Sequence, residues 1–151
     1  MALSQKIVIA SDHAGYAMKE KIKKWLITQK ISFMDLSPEK KEGDDFPDHA
    51  KNVAYAVSKS KKTKGILVCG TGMGMAIAAN KVGGIRAVTP YDTYTAKMSR
   101  IDNDANVIGL RGRKISAQKN ITILKTWLAE SPSRKKQYTR RIKQISSLEK
   151  R

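Results

Sequence analysis

Cysteine is nearly absent: Cys69 is the only one in 151 residues. A single thiol cannot close an internal disulfide. That fits a reducing, cytoplasmic setting and leaves a free sulfur to be accounted for. Long apolar runs are missing too, and nothing approaches the roughly 20 residues of a membrane span. The opening stretch carries an early lysine, but its apolar part is too short for a signal peptide and Asp12-His13 interrupts it. Aromatic residues make up only 6%, and acidic residues number 13 against 30 lysines and arginines, a net charge of +17. Such a charge raises the question of a polyanionic partner. The basic runs, KEKIKK at 19–24, KSKK at 59–62 and RKKQYTRRIK at 134–143, are dispersed and lack the interleaved aromatics of a base-stacking surface. They are expected on the outer faces of helices, and no nucleic-acid or membrane partner is expected. A polyanion-binding protein without catalysis remains the alternative that this charge keeps open.

What is present is a globular composition, 40% hydrophobic, in a length that suits one domain over 1–151. Short apolar runs alternate with helical patterns. Strands are expected at 6–11, 31–36, 65–69, 85–89 and 106–110. Helices are expected at 15–30, 48–60, 73–82, 92–100, 116–130 and 134–149, with a polar loop at 37–47. In the first helix Met18, Ile22, Trp25 and Leu26 fall at spacings of three and four, which makes one apolar face. Strand–helix alternation implies a parallel sheet, and almost wholly apolar strands imply one covered on both faces. The expected fold is therefore α/β: a Rossmann-like, flavodoxin-like doubly wound five-stranded parallel sheet with helices on both faces and a C-terminal basic helix. Ligands of such sheets gather at the carboxyl ends of the strands, near the switch in strand order.

Those ends are polar. The first strand ends in Ser11-Asp12-His13-Ala14-Gly15. Asp12 or Ser11 could cap the next helix, which leaves His13 unexplained. The third strand ends in Cys69-Gly70-Thr71-Gly72-Met73-Gly74. Met75 stands where a dinucleotide-binding turn has its third glycine, and no Gly-Lys-Ser/Thr follows as in a nucleotide P-loop. Three glycines within five residues still let backbone N–H groups converge, and a helix N-terminus adds positive potential. A turn of this kind holds an anion, and it favours the thiolate of a neighbouring cysteine. The alternative for Cys69 is a small apolar residue ending a core strand. After the fourth strand comes Asp102-Asn103-Asp104-Ala105-Asn106, part of which is ordinary turn chemistry. Arg113 follows the fifth strand, and Arg141 lies in the last helix.

Six segments together resemble the type B ribose-5-phosphate isomerases, whose wider group includes galactose-6-phosphate and allose-6-phosphate isomerases. They are Asp12-His13-Ala14-Gly15, Asp45-Phe46-Pro47, Cys69 to Gly74, Ala78-Ala79-Asn80-Lys81, Gly84-Ile85-Arg86-Ala87 and Asn103 to Val107, in the family's order and spacing from about residue 6 to about residue 145. The resemblance implies a metal-free, cofactor-free aldose–ketose isomerase acting on a sugar phosphate. It also implies a homodimer, in some members a tetramer, with each site built from both subunits and the C-terminal helix reaching the partner. In the family branch with this cysteine, the thiolate takes the C2 proton, and the turn amides with the threonine hydroxyl hold the enediolate. Cys69, Thr71, Gly70, Gly72 and Gly74 match those positions. Asp12 matches a residue that contacts sugar hydroxyls and helps open the ring. His13, Arg113 and Arg141 match phosphate contacts, and Asn103 matches an enediolate contact. Three places depart from the family pattern. Asp102 stands where a ring-opening histidine is usual. Gln137 and Tyr138 occupy a segment that often carries an arginine and a histidine. Phe46 replaces a common tyrosine. A 6-phosphohexose such as allose 6-phosphate is the alternative substrate these changes raise.

Overall fold

The computed structural model describes residues 5–149. Along the chain run β1 (Lys6–Ser11), α1 (Tyr16–Thr28), β2 (Phe33–Asp35), α2 (Phe46–Ser58), β3 (Thr63–Cys69), α3 (Met73–Ala79), β4 (Ala87–Val88), α4 (Thr93–Ile101), β5 (Val107–Arg111), α5 (Ala117–Ala129) and α6 (Lys136–Ser147). All strand pairs are parallel, as the apolar strands require. β3 is buried along its whole length, and its neighbours β1 and β5 are nearly so.

The sheet order is β2-β1-β3-β5-β4. A flavodoxin runs 2-1-3-4-5, so the last two strands are exchanged relative to that expectation. Burial explains the exchange. β4 is two half-buried residues, suited to an edge, whereas Val107 to Leu110 are all buried and require cover on both sides. The element bounds also shift. α2 begins two residues early because Pro47 fits the first helical turn, and β3 extends back to Thr63.

One core packs α1, α4 and α5 against Ile7, Ile9, Ile66, Val68, Ile108 and Leu110, around the fully buried Trp127. The second packs α2 and α3 against Val8, Ala10, Leu67, Cys69 and Val107. Cys69 thus faces the α2/α3 layer. α6 buries none of its residues, and Leu148 just beyond it is exposed.

The basic surface expected on the helices has exceptions. Lys19 is fully buried, and Lys64 and Arg100 are nearly so. Lys19 Nζ donates to Asp35 at 3.0 and 2.8 Å and to the carbonyl of Ser37, and it lies 4.8 Å from the centre of the Tyr16 ring. Burial works against the Asp35 carboxylate, but hydrogen bonds from Lys19, Lys23 and the Ser37 amide more than offset it and hold its pKa below the ordinary value. Ser37 Oγ in turn accepts from the Ser11 amide at 2.8 Å, tying this ion pair to the end of β1. Burial also pushes the Lys64 ammonium down to about 8.

A buried cation deprived of its partner is costly. Asp35→Asn is expected to lose about 3–5 kcal/mol, read in urea as a lower midpoint with an unchanged slope. Lys19→Met, which leaves Asp35 paired with Lys23 at 2.8 Å, should lose less than half as much.

Candidate active site

Strand register sets the site. Ser11 pairs with Val68, and Cys69 with Arg111, so β1, β3 and β5 end side by side. The turns that follow are pressed together through their backbones. A Cβ on Gly15 would stand 2.1 Å from the Val68 carbonyl oxygen and 2.8 Å from the Cys69 amide nitrogen. One on Gly112 would stand 2.6 Å from the carbonyl oxygen of Ala14, and one on Gly109 2.7 Å from that of Gly72. Gly72 itself has φ +79°, left-handed backbone that glycine adopts without strain. The Gly112 amide donates to the Cys69 carbonyl at 2.7 Å, and the Arg113 amide to the Gly70 carbonyl at 3.2 Å.

Inside this cluster the Gly72 N–H points at sulfur and lies 3.1 Å from Cys69 Sγ. A donor there stabilises negative charge on sulfur. Cys69 is 5% exposed, so the thiol sits just below the surface while the following Thr71 is exposed. Thr71 Oγ1 accepts from the Met73 amide at 3.3 Å. The Arg113 guanidinium lies over Gly70, where a Cβ would meet its Nη1 at 3.2 Å. Gly74 faces the Phe46 ring, 2.9 Å from where its Cβ would be, which docks the start of α2 against the turn.

Asp12 is buried, and its Oδ1 accepts from the Gly15 amide at 2.9 Å. The capping alternative is thus partly realised: Asp12 shapes the turn into α1. His13 donates its amide to Asp44 Oδ1 at 2.8 Å, and its ring Nδ1 is 2.9 Å from the same oxygen. His49 Nε2 is 2.6 Å from Asp44 Oδ2. One carboxylate therefore joins both histidines of the chain. Sequence reasoning missed Asp44 and His49. The available signal was the acidic loop before Phe46-Pro47, but the His13–Asp44 pair spans 31 positions and has no local pattern.

Asp12, His13, Cys69, Gly70, Thr71, Gly72, Gly74 and Arg113 thus gather at the carboxyl edge. Three predicted residues do not join them within one chain. Asp102 is the C-cap of α4, and Asn103 follows it in the loop that leads into the amino end of β5. That is the opposite edge of the sheet, about 13 Å away at the strand rise of 3.3 Å per residue. Asp102 Oδ1 is buried without a hydrogen-bond partner among the described residues. Asn103 is exposed and accepts from Arg86 Nε through its carbonyl at 3.0 Å. Arg141 is exposed on α6, with its guanidinium 5.8 Å from the Tyr138 ring centre. Among the described residues no group of three or more His, Cys, Asp or Glu is arranged to hold a metal ion. No helix among them is long and apolar enough to cross a membrane.

A parallel α/β sheet thus places a thiol under a glycine-rich turn, with Asp12, His13 and Arg113 at the same edge. The family model described as Ribose/Galactose Isomerase matches residues 7–145, and the chain belongs to that family. It is an isomerase. Ribose-5-phosphate isomerase B of Escherichia coli is 35% identical over 97% of this chain and 98% of its own. A D-erythrulose-4-phosphate isomerase of Pectobacterium atrosepticum is 40% identical over 81% of each. The solved ribose-5-phosphate isomerase B of Mycoplasma genitalium with bound ribulose-5-phosphate superposes with a TM-score of 0.90, at 39% identity over 96% of each chain.

Because the Gly72 backbone is left-handed and an added Cβ would stand 3.0 Å from the Leu110 carbonyl carbon, Gly72→Ala should cost about 1–3 kcal/mol and pull the amide off sulfur. With one cysteine in the chain, labelling by a disulfide reagent reads this directly. The variant should react at least about tenfold more slowly than wild type, because the reactive thiolate loses its donor.

Proposed function

We propose that the protein interconverts D-ribose 5-phosphate and D-ribulose 5-phosphate through an enediolate, with Cys69 as the base. The observation that carries this reading is the Gly72 amide 3.1 Å from Cys69 Sγ, in a turn packed against those that bear Asp12, His13 and Arg113. The thiolate takes the C2 proton of the opened sugar. Negative charge then develops on the enediolate oxygens, where fixed amides and a hydroxyl lower the barrier because they need no reorganisation. Gly70 to Gly74 supply the amides and Thr71 the hydroxyl. The proton returns from sulfur to C1, while O1 gains the proton that O2 gives up.

His13 and Arg113 bind the phosphate, Arg113 through a planar fork that can grip two oxygens. Asp12 contacts sugar hydroxyls and assists ring opening. Asp102, Asn103 and Arg141 come to this turn from a second copy of the chain: Asp102 as the partner in ring opening, Asn103 on the enediolate, Arg141 on the phosphate. Two features support a shared site. Those residues lie away from the carboxyl edge of their own subunit, and α6 carries Arg141 on a helix with no buried residue.

Turnover should require no added metal. Cys69→Ala should keep its fold by circular dichroism and lose at least about 10³ in kcat, within the range general-base catalysis supplies; a variant as fast as wild type would remove the assigned base. Mixing Cys69→Ala with Asn103→Ala, each inactive alone, should restore about a quarter of wild-type activity after subunit exchange, since half of the mixed dimers' sites are then intact. Comparing kcat/KM across four-, five- and six-carbon sugar phosphates checks the substrate. A preference for a 6-phosphohexose would assign the alternative raised by Asp102.

A further inference from the structure

Asp44 lies outside every segment that carries the family resemblance, yet it makes three hydrogen bonds at the site. Its side chain is 9% exposed while that of His13 is 32% exposed, so the carboxylate is recessed behind a ring that keeps an open side. An ionised carboxylate only accepts hydrogen bonds. Its contact with His13 Nδ1 at 2.9 Å therefore places a proton on Nδ1. A neutral ring in that tautomer leaves Nε2 as an acceptor, which repels a phosphate oxygen. Only the charged ring can offer Nε2–H to an anion.

The geometry points to Asp44 as a positioning residue for phosphate binding: it locks the His13 ring with Nδ1 donating, so that Nε2 grips the anion as a charged N–H, while His49 braces the carboxylate from α2. This rests on the reading of His13 as a phosphate contact. The charges around the ring agree. The hydrogen bond to Asp44 raises the His13 pKa above its ordinary value, partial burial lowers it, and Asp12 in its own turn with Asp44 and Glu42 in the β2–α2 loop add to the rise. Burial works against the Asp44 carboxylate, but the amide and ring of His13 and the ring of His49 more than offset it and hold its pKa low. On the β5 side the charged group is Arg113, packed over Gly70. The carboxylate is thus ionised wherever the enzyme works, and His13 holds its proton to a higher pH than a free imidazole does.

The sign follows. Below the His13 midpoint the ring is charged and binding is intact; as pH rises through the midpoint, the Nε2–H is lost and KM climbs. Asp44→Asn keeps an acceptor in place and removes the charge, so the climb should begin at a lower pH. The test uses the full-length protein and the ring-proton NMR signals of its two histidines, with His49→Gln assigning them. In the wild type His13 should titrate above the ordinary imidazole value of about 6.5, and in Asp44→Asn its midpoint should fall toward that value. His49→Gln should leave that midpoint at or above the wild-type value, because the His49 ring no longer competes for Asp44. Inorganic phosphate, followed through the His13 signal at pH 7.5, should bind about tenfold more weakly to Asp44→Asn. KM for ribose 5-phosphate should rise about tenfold while kcat stays within about threefold.

A wild-type midpoint at or below 6.5, a midpoint unmoved in Asp44→Asn, or unchanged phosphate affinity would each overturn the assignment. Should Asp44→Asn fail to fold, the wild-type midpoint and the His49→Gln shift decide. If the wild type turns over no sugar phosphate while midpoint and phosphate affinity move as stated, the isomerase reading fails and the Asp44 assignment holds. Normal turnover with neither moving has the reverse meaning.

Discussion

Everything at the carboxyl edge depends on backbone touching backbone. Val68, Ala14 and Gly72 present carbonyl oxygens to Gly15, Gly112 and Gly109, at separations where any Cβ would stand less than 3 Å away. Contacts this close admit only glycine, and they fix the turns after β1, β3 and β5 relative to one another without relying on flexible side chains. An enediolate is short-lived and its charge must meet donors already in place. Amides held by a rigid sheet are suited to that, because their directions are set by folding rather than by substrate. The same packing explains why the thiol sits where it does: Cys69 is the last residue of a fully buried strand, and its sulfur stays buried beneath the turn that follows.

The distribution of candidate residues over the sheet has a structural meaning. Parallel strands send all their carboxyl ends one way and their amino ends the other. A residue that precedes β5, such as Asn103, cannot meet a residue that follows β3 in the same subunit. It can do so across an interface. α6 is consistent with that role. It has no buried residue in its own subunit, its Arg141 is exposed, and Glu149 just beyond it holds the Gly84 amide at 2.9 Å, so the helix is anchored at its far end. A helix with no buried residue would be marginal alone. Burial against a second subunit would supply the apolar contact that Ile145 and Leu148 lack.

Much of this was legible in the sequence, because burial on both faces leaves a plain trace: short, wholly apolar runs such as Ile66 to Cys69 read as interior parallel strands. The glycine turn was legible too, since its composition has few structural uses. The exchange of β4 and β5 was not, because strand order is decided by non-local burial and two residues of β4 carry little pattern. Lys19 shows a different failure. It falls at helical spacing with Ile22 and Leu26, on the buried face, but its charge argued for the surface; its partner Asp35 is 16 positions away. The His13–Asp44–His49 cluster was illegible for the same reason. Pairing across distant loops leaves no periodicity, and only the segment Asp45-Phe46-Pro47 marked that loop as more than a linker.

The acidic residues near the proposed phosphate site then need reconciling with a chain of net charge +17. Distant lysines contribute little to binding a dianion, since exposed charges are screened within about 8 Å at physiological salt. A contact donor counts for more. Asp12, Glu42 and Asp44 repel phosphate weakly through solvent, but they raise the proton affinity of His13 directly. They convert diffuse negative charge into one positively charged N–H at the proposed phosphate site. Arg113 needs no such help, since guanidinium keeps its proton throughout the working range. The site therefore pairs one permanent cation with one conditional cation, and the conditional one is governed by a carboxylate that need not touch the substrate.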